Sequence, residues 1–327
     1  MDKIKTLVCA APGALALEDR PAPVPAADEA LVRTLRVGIC GTDYHIYEGK
    51  HPFLDYPRVM GHELAVQVLS APEGSDFARG EICSVNPYIA CGHCRTCRAG
   101  KPNCCENISV LGVHRDGGMA EAFILPARNL LKTGGLSPDA CAVIEFLAIG
   151  AHAVRRGAPG AGDKVLVVGA GPIGLGAAIF ARLTGAAVDL YDIDADRAHQ
   201  VAGLAGVAVT TADKDTHDVV FDATGNRTAM EQGFERTAPG GKFVMVGVIK
   251  DHISFFDPDF HSKELTLLAS RNATQDDFEH VMAAIRAGEI DLDRVITHRT
   301  SLRSSAADLA RWTTEKGGLV KAVIEVG

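Results

Sequence analysis

Val165-Leu166-Val167-Val168-Gly169-Ala170-Gly171-Pro172-Ile173-Gly174 decides the architecture of this chain. Four aliphatic residues in a row read as a strand buried on both faces, as in a parallel sheet. The glycine turn that follows closes this strand and opens a helix. Its first glycine makes the tight turn, its second lets backbone approach a pyrophosphate, and the helix N-terminus supplies positive dipole. Gly169, Gly171, Pro172, Ile173 and Gly174 are therefore candidate dinucleotide contacts. Asp192 ends the next strand, where a carboxylate can accept both ribose hydroxyls and would repel a 2′-phosphate, which favours NAD over NADP. Its alternative role is to cap the helix beginning near Ala195, and Arg197 works against the preference for NAD.

Strand and helix alternate around this turn. A helix is expected over Pro172–Thr184, ended by Gly185, and strands at Ala187–Tyr191, Val219–Phe221, Lys242–Val246 and Leu265–Leu268. That is a doubly wound parallel sheet. Thr224, after the strand ending at Asp222, and Val248, after the one ending at Val246, join the cofactor candidates. Residues 1–147 differ: short β-rich runs such as Ala30–Val37 and Leu64–Leu69, broken by Gly and Pro, read as a small barrel-like domain. Beyond 270 come an amphipathic helix, Asp276–Ala287, and a final strand, Val320–Val326, that could return to the β domain. The expected fold class is α/β, with a β domain at 1–147, a nucleotide-binding domain at 148–270 and a C-terminal part at 271–327 that returns to the β domain.

At 327 residues the chain exceeds one comfortable core, in keeping with two domains. A net charge of -8 argues against nucleic acid and anionic membranes as partners. Lys3 and Lys5 precede an apolar run, Leu7–Leu17, that mimics a signal peptide, but Pro12 and Gly13 break it into two short strands and a turn. Nine cysteines, an odd number with metal-like spacing, suit a reducing cytoplasm.

Cys91, Cys94 and Cys97, with Cys105 eight residues on, form a layout that builds a tetrahedral four-thiolate zinc cage, in a lobe spanning about 90–106. An iron–sulfur cluster or free thiols are the alternatives, and Cys104 competes with Cys105. A closed shell cannot hold substrate, so this zinc is structural. A second constellation, Gly38-Ile39-Cys40-Gly41-Thr42-Asp43-Tyr44-His45 with Gly61-His62-Glu63, offers a thiolate and an imidazole with room for an open position.

Cys40–His45, Gly61–Glu63, the four-cysteine lobe, Asp116-Gly117-Gly118 and the glycine turn together resemble the zinc-dependent medium-chain dehydrogenase/reductase family over essentially the whole chain. This resemblance implies a GroES-like catalytic domain plus a Rossmann domain, a catalytic and a structural zinc, and NAD. Ala142-Val143-Ile144-Glu145 is similar to the segment where the sorbitol dehydrogenase branch carries its third zinc position, although Phe146 stands where that branch has proline. Cys40, His62, Glu63 and Glu145 are then the candidate ligands, with the order of the two glutamates open. The implied activity is oxidation of a secondary hydroxyl with hydride transfer to the nicotinamide, Thr42 and His45 forming a proton relay and Asp43 orienting His62.

Cys105–Gly118 and Asp257–Phe278 are similar to bacterial hexonate oxidoreductases that act on L-galactonate. The resemblance implies a sugar acid or polyol substrate, with an L-galactonate- or L-gulonate-type aldonate favoured over sorbitol, galactitol or threonine. Arg271 is a candidate for cofactor or substrate contact, and His114 and Asn272 for substrate hydroxyls. By analogy the protein is a homodimer or homotetramer. The connection Thr211–His217 is shorter than the family's usual helix-containing one, which trims the adenosine side. A zinc-free reductase and a non-enzymatic protein of the same fold are the competing readings.

Overall fold

A computed structural model describes residues 2–51, 54–211, 215–315 and 317–326. The chain forms two compact units, Met1–Glu145 with Leu292–Gly327, and Phe146–Asp291.

In the first unit, strand Glu29–Ile39 is the hub. It pairs antiparallel with Glu63–Ser70, with Ala122–Pro126 and with the C-terminal strand Lys321–Glu325, and the sheet continues through Ile82–Val85 and Leu130–Lys132 at one end and Ile296–Ser301 at the other. The alternating pattern of these strands turns Val32, Val37, Leu64, Val66, Val68 and Ile324 into one core. The run Leu7–Leu17 is a hairpin of Lys3–Ala11 and Ala14–Pro21, as its Pro-Gly break implies, with Gly13 at φ +74° in the turn. The final strand does return to the β domain.

The second unit holds a six-stranded parallel sheet in the order 208–209, 187–191, 164–168, 217–222, 237–245, 266–269. Its centre is Lys164–Val168, in which Val165 to Val168 are all buried. Helices Pro172–Leu183, Ala195–Ala205 and Arg227–Arg236 make the crossovers. Strand order reverses at the central strand, so the site for a ligand lies beyond the carboxyl ends of 164–168 and its two neighbours. This unit runs on to Asp291 because helix Gln275–Arg286 is tied down: Asp277 accepts from Arg155 Nε at 2.7 Å and lies 2.8 Å from His152 Nδ1. The shortened connection 211–217 falls partly on residues 212–214, outside the described residues. Among the described residues no helix is long and apolar enough to cross a membrane.

Candidate metal centres and dinucleotide turn

Register assembles the first centre. Gly38 pairs with Glu63 across the antiparallel strands, which sets Cys40, just past one strand, opposite His62, just before the other. Cys40 then caps helix Gly41–Tyr47, its backbone N–H donating to Asp43 Oδ2 at 2.9 Å. Ligand atoms of Cys40, His62 and Glu63 all lie within 4.8 Å of one another. Thr42 sits at the same helix start, its Oγ1 3.9 Å from Cys40 Sγ, while His45 is exposed one turn further on.

The charge balance of this pocket calls for a cation. Asp43 and Glu63 are fully buried, and Asp43 Oδ1, His62 Nδ1 and Glu63 Oε1 have no hydrogen-bond partner. Orphaned buried polar atoms gathered in one place are what a metal ion satisfies. Burial by itself would lower the pKa of His62, but Asp43, 3.9 Å from its Nδ1, and Cys40 push it well above the usual histidine range. One thiolate, one imidazole and a carboxylate fit zinc with a position to spare.

Glu145, on helix Pro138–Gly157, stands outside the three-residue group. Its Oε1 accepts a hydrogen bond from the Tyr88 hydroxyl. Burial, reinforced by the charge of Glu63 and opposed by His62, Tyr88 and Lys321, pushes its carboxyl up to about 7. Three residues of this centre have roles that sequence reasoning did not assign. Tyr88 holds Glu145, Lys321 forms an ion pair with Glu63, and Gly38 leaves the space into which the Glu63 side chain folds. Only Gly38 carried a signal, as a glycine inside an otherwise continuous strand.

The second centre brings together Cys91, Cys94, Cys97 and Cys105, their sulfurs within 4.8 Å of one another, while Cys104 is exposed. Backbone N–H groups of Cys91 and Asn107 donate to the Cys105 sulfur, each at 3.3 Å, and that of Cys94 to Cys91 at 3.4 Å. The Thr96 hydroxyl, 3.2 Å from the Cys94 sulfur, leads in holding that thiol down at about 5. Four sulfurs gathered in this way fit a closed tetrahedral zinc shell.

At the glycine turn, Gly169 has φ +105°, and a Cβ on Gly174 would lie 1.8 Å from the Gly169 carbonyl, so both positions need glycine. Gly171 caps helix Pro172–Leu183, and Pro172 and Ile173 form its first turn. Asp192 Oδ2 accepts from Ala170 N–H at 2.6 Å, and Arg197 Nε donates to the Ala170 carbonyl at 2.8 Å, so both side chains brace the turn. The cap of helix Ala195–Ala205 is Asp194, leaving Asp192 free of that role. Thr224 packs beside Gly169, and Gly225 approaches the Val248 carbonyl, with Val248 itself 84% exposed at the strand ends. Arg271 is exposed, and Asn272 beside it has φ +54°. His114 is exposed too, its Nδ1 accepting from Val110 N–H at 3.1 Å.

Residues 26–135 match the alcohol dehydrogenase GroES-like domain, and residues 172–287 match the zinc-binding dehydrogenase family. The L-galactonate-5-dehydrogenase of Escherichia coli K12 is 40% identical over 99% of both chains. Among solved structures, an Escherichia coli CFT073 alcohol dehydrogenase complexed with NADH superposes with a TM-score of 0.93 at 28% identity, over 99% of this chain and 100% of that one. A zinc-binding dehydrogenase of Sinorhizobium meliloti 1021 bound to NADP gives 0.92 at 28% identity, with the same coverage.

Proposed function

This chain belongs to the zinc-binding dehydrogenase family, and from that membership we propose that it oxidises a secondary hydroxyl of an L-galactonate-type sugar acid, passing the hydride to NAD. The observation that carries the reaction class is the buried group of Cys40, His62 and Glu63. Cys40, His62 and one of the two glutamates, Glu63 or Glu145, would hold the catalytic zinc. Cys91, Cys94, Cys97 and Cys105 would hold the structural one. When bound, the catalytic ion supplies Lewis acidity that makes a substrate hydroxyl easier to deprotonate.

The chain's own residues do the rest. The Thr42 hydroxyl, next to the Cys40 sulfur, is placed to take the substrate proton, and exposed His45 on the same helix passes it to solvent. Asp43, buried beside His62, orients the imidazole. On the second unit, backbone N–H groups of the turn Gly169–Gly174 receive the pyrophosphate and Asp192 receives the ribose hydroxyls. Thr224 and Val248 border the turn, and Arg197 is the cation a 2′-phosphate would find there. The preference for NAD rests on the carboxylate of Asp192. Arg271 supplies a guanidinium for a substrate carboxylate or for the cofactor, and His114 and Asn272 supply polar groups for sugar hydroxyls.

The substrate class rests on the likeness to the Escherichia coli enzyme over the full chain. Assaying L-galactonate, L-gulonate, sorbitol, galactitol and L-threonine with NAD and with NADP tests it. Preference for an aldonate with NAD supports this assignment, and preference for threonine or a polyol replaces it. The protein would act as a homodimer or homotetramer: strand Thr266–Ala269 ends its sheet with Leu267 exposed, an edge that a second copy can cover. Nine cysteines without a disulfide suit the reducing cytoplasm.

A further inference from the structure

Strand order in the second unit gives the dinucleotide a direction. The pyrophosphate belongs at the turn Gly169–Gly174, after the central strand Lys164–Val168, and the adenosine ribose at Asp192, after the neighbouring strand 187–191. The nicotinamide half then runs the other way, over the carboxyl ends of strands 217–222, 237–245 and 266–269. The last of these ends opens into Ser270-Arg271-Asn272-Ala273.

Two consecutive arginines in the last turn of helix Pro138–Gly157 hold this segment at both ends. Arg156 Nε donates to the Ala269 carbonyl at 3.2 Å. Arg155 donates to the Thr274 hydroxyl at 2.7 Å and, through two nitrogens, to both carboxylate oxygens of Asp277 at 2.7 and 2.9 Å. A guanidinium bonded in this forked way fixes direction as well as distance. Between the two anchors Asn272 has φ +54°, a region that residues other than glycine seldom occupy and keep only when their surroundings impose it. Ser270 is 8% exposed and its hydroxyl has no hydrogen-bond partner, while its N–H is tied to the Met245 carbonyl at 2.8 Å. A buried hydroxyl left open at the carboxyl end of a parallel strand suits a polar ligand.

We propose that Arg155 and Arg156 are positioning residues for the nicotinamide half of the cofactor: by fixing Ala269 and Thr274 they preset the four residues between for it. Each arginine acts through that segment. This inference rests on the NAD reading given above, and it needs nothing from the metal centre.

Isothermal titration calorimetry of the full-length protein with NADH and with ADP-ribose separates the two halves, because ADP-ribose carries the adenosine and pyrophosphate and lacks the nicotinamide. Both arginines are exposed, so Arg155→Met and Arg156→Met should fold, which circular dichroism checks. In each variant the Kd for NADH should rise by at least about fivefold, while that for ADP-ribose stays within about twofold of wild type. An equal loss of both ligands would make the arginines structural only and overturn the proposal, as would unchanged NADH affinity in the folded variants. Should Arg155→Met not fold, Arg156→Met decides alone, since it removes a single surface hydrogen bond. A wild-type protein that binds neither ligand would instead remove the dinucleotide reading itself.

Discussion

Gly38 and Glu63 face each other on adjacent antiparallel strands, and the glutamate side chain occupies the place where a Gly38 side chain would stand, 2.2 Å from Oε2 and 2.9 Å from Cβ. The Ala142 carbonyl closes the same space at 2.8 Å. Gly38→Ala must therefore displace Glu63 or the backbone. Overpacking of this kind costs about 1–3 kcal/mol. The expected outcome is a destabilisation of that size in urea unfolding, together with loss of catalytic-site zinc by elemental analysis and retention of the structural zinc.

Cys40→Ser and His62→Ala each remove a donor from the buried centre. Several kcal/mol of transition-state stabilisation go with the metal, so kcat/KM should fall by about 10³-fold or more. Far-ultraviolet circular dichroism should be unchanged, since neither side chain carries the barrel core. Activity within about tenfold of wild type in both variants would favour a zinc-free reductase of the same fold.

The cysteine lobe separates two neighbours. Cys105 points its sulfur into the cluster, whereas Cys104 is exposed. Cys105→Ser should release the structural zinc and lower the melting temperature, because metal binding free energy at such a site is folding free energy. Cys104→Ser should stay within about 0.5 kcal/mol of wild type in chemical denaturation.

A pH dependence follows from Asp277. Burial alone would raise its pKa, but hydrogen bonds from His152, Arg155 and the Thr274 backbone together hold it well below the ordinary aspartate value. Its folded-state pKa is thus depressed, so its contribution is present above the unfolded value of about 3.9 and is lost as pH falls through the folded one. Asp277→Asn should cost about 1.5–3 kcal/mol at pH 7, and the difference from wild type should begin to narrow below about pH 5, measured by urea denaturation of the second unit. A gap that stays constant down to pH 3 would show that the effect is packing and not charge.

Much of this was legible in the sequence, for physical reasons. The run Val165–Val168 and the glycine turn fix a strand, a helix and their junction within a few residues, because both depend on local backbone chemistry. The cysteine lobe was readable for the same reason: Cys91, Cys94, Cys97 and Cys105 are close in the chain. Cys40, His62 and Glu63 are not, and only the register Gly38–Glu63 brings them together. Tyr88 and Lys321 were invisible. Each reaches its glutamate from a distant strand, and the 258 positions separating Lys321 from Glu63 leave no periodicity to read.

Asp192 is the residue proposed to carry the cofactor choice. Asp192→Ala removes the carboxylate proposed for the ribose hydroxyls and a brace on Ala170 N–H. The KM for NAD should rise, and the ratio of kcat/KM with NAD to that with NADP should fall by at least about tenfold, equivalent to 1.4 kcal/mol.

Metal removal and return, followed by NADH formation from L-galactonate, tests the centre most directly. Chelated protein should lose turnover and regain it when zinc is restored, while His62→Ala treated in the same way should stay inactive with its cysteine-lobe zinc in place. Turnover that survives chelation, or that zinc restores equally in His62→Ala, would contradict a catalytic ion held by Cys40, His62 and a buried glutamate.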